Sequence, residues 1–91
     1  MAEPDFILTC INGVGSRTMK QNMGSPTFAE SICMKGKTRE QISTCIDGMV
    51  SYYLVQYNSL QKARDMCGSL QEENQAVCHS AVEKRNSMFA K

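Results

Sequence analysis

No run of about 20 apolar residues occurs in the sequence, so no segment reads as a membrane-spanning helix. Blocks of like charge are missing too. Ten basic and nine acidic residues are dispersed to a net charge of +1, which leaves no electrostatic footprint for nucleic acid or for an anionic membrane. There is no tryptophan, no Asn-x-Ser/Thr glycosylation acceptor and no charged-then-apolar leader. Met1 to Asp5 instead reads as a start methionine ahead of a flexible, mature amino terminus.

Catalytic patterns are equally scarce. No Gly-x-Ser-x-Gly elbow is present, and Gly13-x-Gly15 lacks the third glycine and the preceding strand of a dinucleotide loop. Glu72 and Glu73 fall in a helical first turn, where acids favour the helix dipole. The single histidine, His79, directly follows Cys78 and therefore points off the helix face that the cysteine occupies, so the two cannot chelate a metal together. These absences predict a non-enzymatic protein with no catalytic residue, no metal site and no cofactor.

What the chain does have is sulfur. It carries five cysteines in 91 residues, none in a CxxC pair. A domain this small hides only about 60–65% of its unfolded surface, so covalent cross-links are expected to supplement the core. Disulfides in turn predict an oxidising location, periplasmic or secreted. Seven methionines, with Met19 and Met23 one turn apart, would suit Cu(I) and keep copper or redox handling as an alternative. Met49 and Met88 nevertheless fall on core stripes, which favours packing or an adaptable surface.

The strongest periodic signal runs from Thr38 to Tyr57. Ile42, Cys45, Ile46, Met49, Val50, Tyr53, Leu54 and Tyr57 follow the i, i+3, i+4, i+7 spacing of one helical face, with Tyr52 and Val55 on a second, thinner stripe. Before it, Ile7, Cys10, Ile11 and Val14 share a face of a first helix. That helix is the weakest, because Gly13 and Gly15 each cost about 1 kcal/mol against alanine. Ser25-Pro26 starts a short second helix, with Phe28, Ala29, Ile32 and Cys33 inward and Gly36 as its C′ residue. Thr38 with Gln41 forms a capping box for the long helix. Asn58 or Ser59 interrupts that helix, and Leu60, Ala63, Cys67 and Leu70 line the fourth, which a left-handed Gly68 ends. Ser69 with Glu72 caps a fifth helix whose apolar face is Val77, Cys78, Ala81, Val82, Met88 and Phe89.

An internal repeat underlies this order. Cys10-x-x-Gly13 recurs as Cys45-x-x-Gly48 and Cys78-x-x-Ala81, and Ala29-x-x-x-Cys33 recurs as Ala63-x-x-x-Cys67. A period near 34 residues, one helical hairpin long, predicts a single all-α domain over 1–91: five helices in a right-handed αα-hairpin array of about two and a half units. Two disulfide schemes suit antiparallel hairpins: Cys33–Cys45 with Cys67–Cys78, or Cys10–Cys33 with Cys45–Cys67.

The stretch from Ala63 to Val82 has an Ala-x-x-x-Cys helix end, an acidic turn containing Leu70 and a following Cys-x-x-Ala helix start. It resembles the cysteine-linked Sel1-like, tetratricopeptide-like repeats of secreted bacterial proteins. The resemblance implies an extracytoplasmic, disulfide-clipped scaffold that binds proteins. It also places bridges across the shorter spacing, which implies Cys33–Cys45 and Cys67–Cys78 and leaves Cys10 as a free or intermolecular thiol. The functional expectation is a protein–protein interaction module whose partner is another protein or a second copy in a homodimer. The alternative is a dedicated inhibitor or immunity protein that neutralises a secreted toxin or enzyme. Tyr52, Val55 and Tyr57, with Arg17, Lys20 and Met23, are the candidate partner-binding residues, because tyrosine and arginine are common interface anchors.

Overall fold

A computed structural model describes residues 4–89, with side-chain placement over residues 9–85. Its elements are α1 (Pro4–Gln21), α2 (Pro26–Cys33), α3 (Arg39–Tyr57), α4 (Leu60–Gly68) and α5 (Glu72–Phe89), and the described residues contain no strand. The all-α reading therefore holds. Pro4 and Asp5, placed in a flexible terminus by the sequence, open α1, while residues 1–3 lie outside the described residues. So do the side chains of Ile7, Met88 and Phe89.

Local signals account for most helix ends. Pro26 occupies the first turn of α2, although the Ser25 side chain makes no capping hydrogen bond. Thr38 Oγ1 accepts from the Gln41 amide at 3.1 Å, and Gln41 Oε1 answers at the Lys37 amide at 2.8 Å, one residue before the position a standard capping box would use. Asn58 takes the left-handed conformation, with φ 51°, to end α3, and Ser59 Oγ then accepts from the Lys62 amide at 3.2 Å to start α4. Neither Gly36 nor Gly68 adopts a positive φ. Gly68 is the last residue of α4, and Ser69 follows in a right-handed conformation.

The start of α5 departs from the sequence reading. Ser69 Oγ turns back to the Met66 carbonyl at 2.6 Å instead of pairing with Glu72. The cap comes from α2: Glu30 Oε2 accepts from the Gln71 amide at 2.9 Å and from Asn74 Nδ2 at 2.6 Å. A carboxylate there meets both the free amides and the positive end of the α5 dipole. Glu30 is only 2% exposed and Asn74 is fully buried, so this polar link between α2 and α5 sits inside the protein.

The long helices α1, α3 and α5 lie side by side and run in the same direction. Asn12 Nδ2 donates to the Thr44 carbonyl at 3.3 Å and Ser16 Oγ to the Gly48 carbonyl at 3.0 Å. Four residues along α1 thus match four along α3, with a constant offset of 32 residues. Between α3 and α5, Arg39 Nη2 donates to the Glu73 carbonyl at 2.7 Å, and Lys84 Nζ reaches Asp47 Oδ2 at 3.1 Å, again advancing together. By contrast α4 runs antiparallel to α5, since Cys67 meets Cys78 while Arg64, one turn earlier, reaches Glu83. One disulfide joins α2 to α3, Cys33–Cys45 with a Cα separation of 5.5 Å, and another joins α4 to α5, Cys67–Cys78 with 5.4 Å. Of the two schemes left open by spacing, the geometry selects the one the resemblance implied, and Cys10 remains free and exposed.

The glycines explain how α1 meets α3. A β-carbon at Gly15 would strike the Cys45 carbonyl, and one at Gly48 would strike the Asn12 carbonyl. Without side chains at these two points the backbones approach closely, and Asn12, Ser16 and Met19 flank the contact. This changes the sequence expectation in two respects. Gly15, read only as a cost to helix propensity, is also a packing residue, and the buried face of α1 is turned toward Gly15, Thr18 and Met19, leaving Cys10 and Val14 exposed. Gly13 is the one whose β-carbon would meet nothing.

The core is one cluster. Met19, Ile46, Met49, Val50, Leu54 and Val82 are buried in it, together with all four bridged cysteines and Ala29, Ala63, Met66, Leu70 and Ala81. Met49 Sδ lies 3.4 Å from Cys33 Sγ, so the first bridge is itself packed in the core. Each large aliphatic side chain so buried contributes about 1.5–3 kcal/mol. Phe28, expected inward on α2, is 56% exposed, because the neighbouring positions Ala29, Glu30 and Cys33 take the buried side of that short helix.

Candidate functional site

Between α3 and α5 lies an open slot of about 490 Å³. One wall is Glu40, Ser43, Thr44 and Asp47 from α3; the other is Ala76, Val77, Ser80, Ala81 and Lys84 from α5. Its existence follows from residue size. Parallel helices whose facing positions carry serine, threonine and alanine leave space between them, and polar links at both ends hold that space open. At one end Arg39 spans to the Glu73 carbonyl; at the other Asp47 accepts from both Lys84 and Arg85. The clamps are eight residues apart on α3, about 12 Å at 1.5 Å per residue.

The slot faces away from the short helices. On α3, Cys45 bonds to α2, and Asp47, two residues on, is turned by about 200° around the axis. On α5, Cys78 bonds to α4, and Ser80 stands in the same relation to it. The side of the helix layer opposite α2 and α4 is therefore the one that carries the slot. The sequence reading missed it, since its residues are small or charged and lie off both apolar stripes.

The charges in the slot are unequally satisfied. Asp47 is neutralised by Lys84 and by Arg85, whose side chain is only 17% exposed. Glu40 makes no hydrogen bond or ion pair among the described residues, and the hydroxyls of Ser43, Thr44 and Ser80 are similarly uncommitted. Among the described residues no group of three or more His, Cys, Asp or Glu could hold a metal ion.

The six residues expected to bind a partner are dispersed in their environments. Val55 is 67% exposed and Tyr57 40%, whereas Tyr52 and Met23 are half-buried and pack on the core cluster. Arg17 and Lys20 are exposed on α1. The 32-residue offset sets Lys20 level with Tyr52 at one end of the α1–α3 pair, while Met23 lies in the turn that follows α1. Tyr57 is engaged locally: its ring centroid is 4.7 Å from that of Tyr53, and Lys62 Nζ stands 4.5 Å over its face. This cluster closes the α3–α4 turn at Asn58. Burial raises the Tyr53 phenol above its ordinary pKa, and the neighbouring Tyr57 and Asp65 add to the shift.

Cys10 and Gly13, counterparts of Cys45 and Gly48 in the expected repeat, face no other helix in the same way. Cys10 is exposed, whereas Cys45 and Cys78 are buried and bridged. Compared with known proteins, the chain matches no family model, no curated protein and no solved structure.

Proposed function

We propose that the protein is a non-enzymatic interaction module of an oxidising compartment, periplasmic or secreted, built as a short array of Sel1-like helical hairpins. The observation that carries the reading is the slot between α3 and α5, held open at both ends by polar links on the free side of a helix layer whose two hairpins are clipped by disulfides. Cross-linking of that kind fixes a surface in advance, so that a partner meets a site with little ordering left to do. Two bridges are also the kind of covalent support that persists where thiols are oxidised.

The test is affinity capture from the envelope of the source cell with the disulfide-intact protein. A partner retained by the wild type and lost with Ser80→Trp, which fills the slot, supports the reading. A partner retained equally by both proteins, or recovery of none, overturns it. Alkylation of the native protein adds the compartment test: one reactive cysteine before reduction and four more after it agree with export to an oxidising space. The exposed thiol of Cys10 is then the group through which a second copy becomes covalently attached.

A further inference from the structure

We propose that the slot is a receptor for a single lysine or arginine side chain presented by the partner polypeptide, with the aliphatic stem along the α5 wall and the charged head on Glu40. The inference rests on the interaction-module reading and specifies the chemistry of its partner. Three features of the slot select this occupant.

The first is charge. Among the ionised groups lining the slot, Asp47 and Lys84 satisfy one another, with Arg85 as a second cation on Asp47, and Glu40 alone is left without a counter-charge. Glu40 sits in the first turn of α3, where an acid favours the helix dipole, but that interaction needs no ligand-facing wall and leaves the carboxylate able to accept from a donor. The second is the wall opposite. Ala76, Val77 and Ala81 present only methyl groups, a surface that suits the methylene stem of a basic side chain whose head stays polar. The third is the set of uncommitted hydroxyls. Ser43 and Thr44 flank Glu40 on the same helix face, one turn along, and supply acceptors for the remaining N–H groups of an ammonium or guanidinium. An acidic side chain with its head in that position would instead confront the unpaired Glu40, and a large aromatic ring would leave the carboxylate unpaired and partly desolvated.

The probe is N-acetyl-Ala-Arg-Ala-amide, titrated into the isotopically labelled full chain and followed by amide NMR shifts. Its control is the same peptide with citrulline, which keeps the shape and removes the charge. Saturable shifts at Ser43, Ala76 and Ser80, with a dissociation constant on the order of 1 mM, are the expected result for so small a ligand. Glu40→Gln weakens the arginine peptide about tenfold and leaves the citrulline peptide unchanged. Ser80→Trp removes the shifts at the slot for both. Equal binding of the two peptides, shifts that map elsewhere, or no saturation overturns the proposal. If envelope capture still depends on Ser80 when the peptides fail, the interaction reading stands and only the basic side chain is wrong. Unchanged spectra of the free Glu40→Gln variant confirm that it is folded.

Discussion

Gly15 lies directly beneath the Cys45 carbonyl: a β-carbon on Gly15 would collide with the carbonyl oxygen and sit 2.9 Å from its carbon. Gly48 stands in the same relation to Asn12, so the α1–α3 interface is a mutual contact of backbone against glycine. Helix propensity and packing therefore pull in opposite directions at these sites. Gly15→Ala and Gly48→Ala should each lower stability by about 1–3 kcal/mol, the usual effect of overpacking, although alanine is the better helix former. Gly13→Ala, with open space around it, should gain up to about 1 kcal/mol. Urea denaturation of the three oxidised variants gives the comparison, and a stabilised Gly15→Ala would refute the close approach.

The two bridges enclose short loops, with sequence separations of 12 and 11 residues. Removing either as a double serine variant should cost about 3 kcal/mol in the chain-entropy model. The Cys33–Cys45 variant should be the worse of the two, because Met49 packs against that bridge in the core. Non-reducing peptide mapping should find these two pairs, and a Cys10–Cys33 peptide would contradict the fold.

Glu30 caps α5 through the Gln71 amide, 41 residues further along the chain. Glu30→Ala should destabilise the protein by about 2–3 kcal/mol, since it removes hydrogen bonds to an ionised group and strands the Gln71 amide and the Asn74 side chain. The loss should be localised. Amide exchange at Gln71 and Asn74 should speed up more than exchange at Ile46 or Val50, and uniform acceleration would argue that Glu30 is no cap.

Tyr53 sets an alkaline limit. Burial raises its pKa, so the folded state holds the phenolic proton more tightly than the unfolded chain does. Its contribution is complete below the unfolded value near about 10 and is lost as pH climbs through the raised folded value. Urea midpoints should therefore fall above about pH 10, and less steeply in Tyr53→Phe. Both proteins should carry Cys10→Ser, which prevents thiolate exchange with the bridges at that pH. Identical slopes would show that Tyr53 is not the responsible group.

Cys10, free and exposed, should yield a dimer band on a non-reducing gel of freshly purified protein, absent from Cys10→Ser. A wild-type sample that runs only as monomer would remove the covalent homodimer.

The helices were legible wherever their causes are local. Apolar spacing marked α3, the Ser25-Pro26 pair marked the start of α2, and Thr38, Asn58 and Ser59 marked ends that the same residues form. Both bridges follow from spacing and resemblance together, since spacing alone allowed a second scheme. The slot was not legible. Its walls are serines, alanines and charges, which in sequence look like any solvated helix face.

By itself, then, the sequence determined an all-helical chain, the number and order of its helices and the caps at Thr38, Asn58 and Ser59, because those depend on interactions within a few residues. Tertiary structure alone decided which side of α1 is buried, that Glu30 caps α5, and that small residues on α3 and α5 enclose a slot. Those outcomes depend on groups 30 or more residues apart that meet only when helices pack, and no local pattern encodes the Gly15–Cys45 contact that sets the rotation of α1.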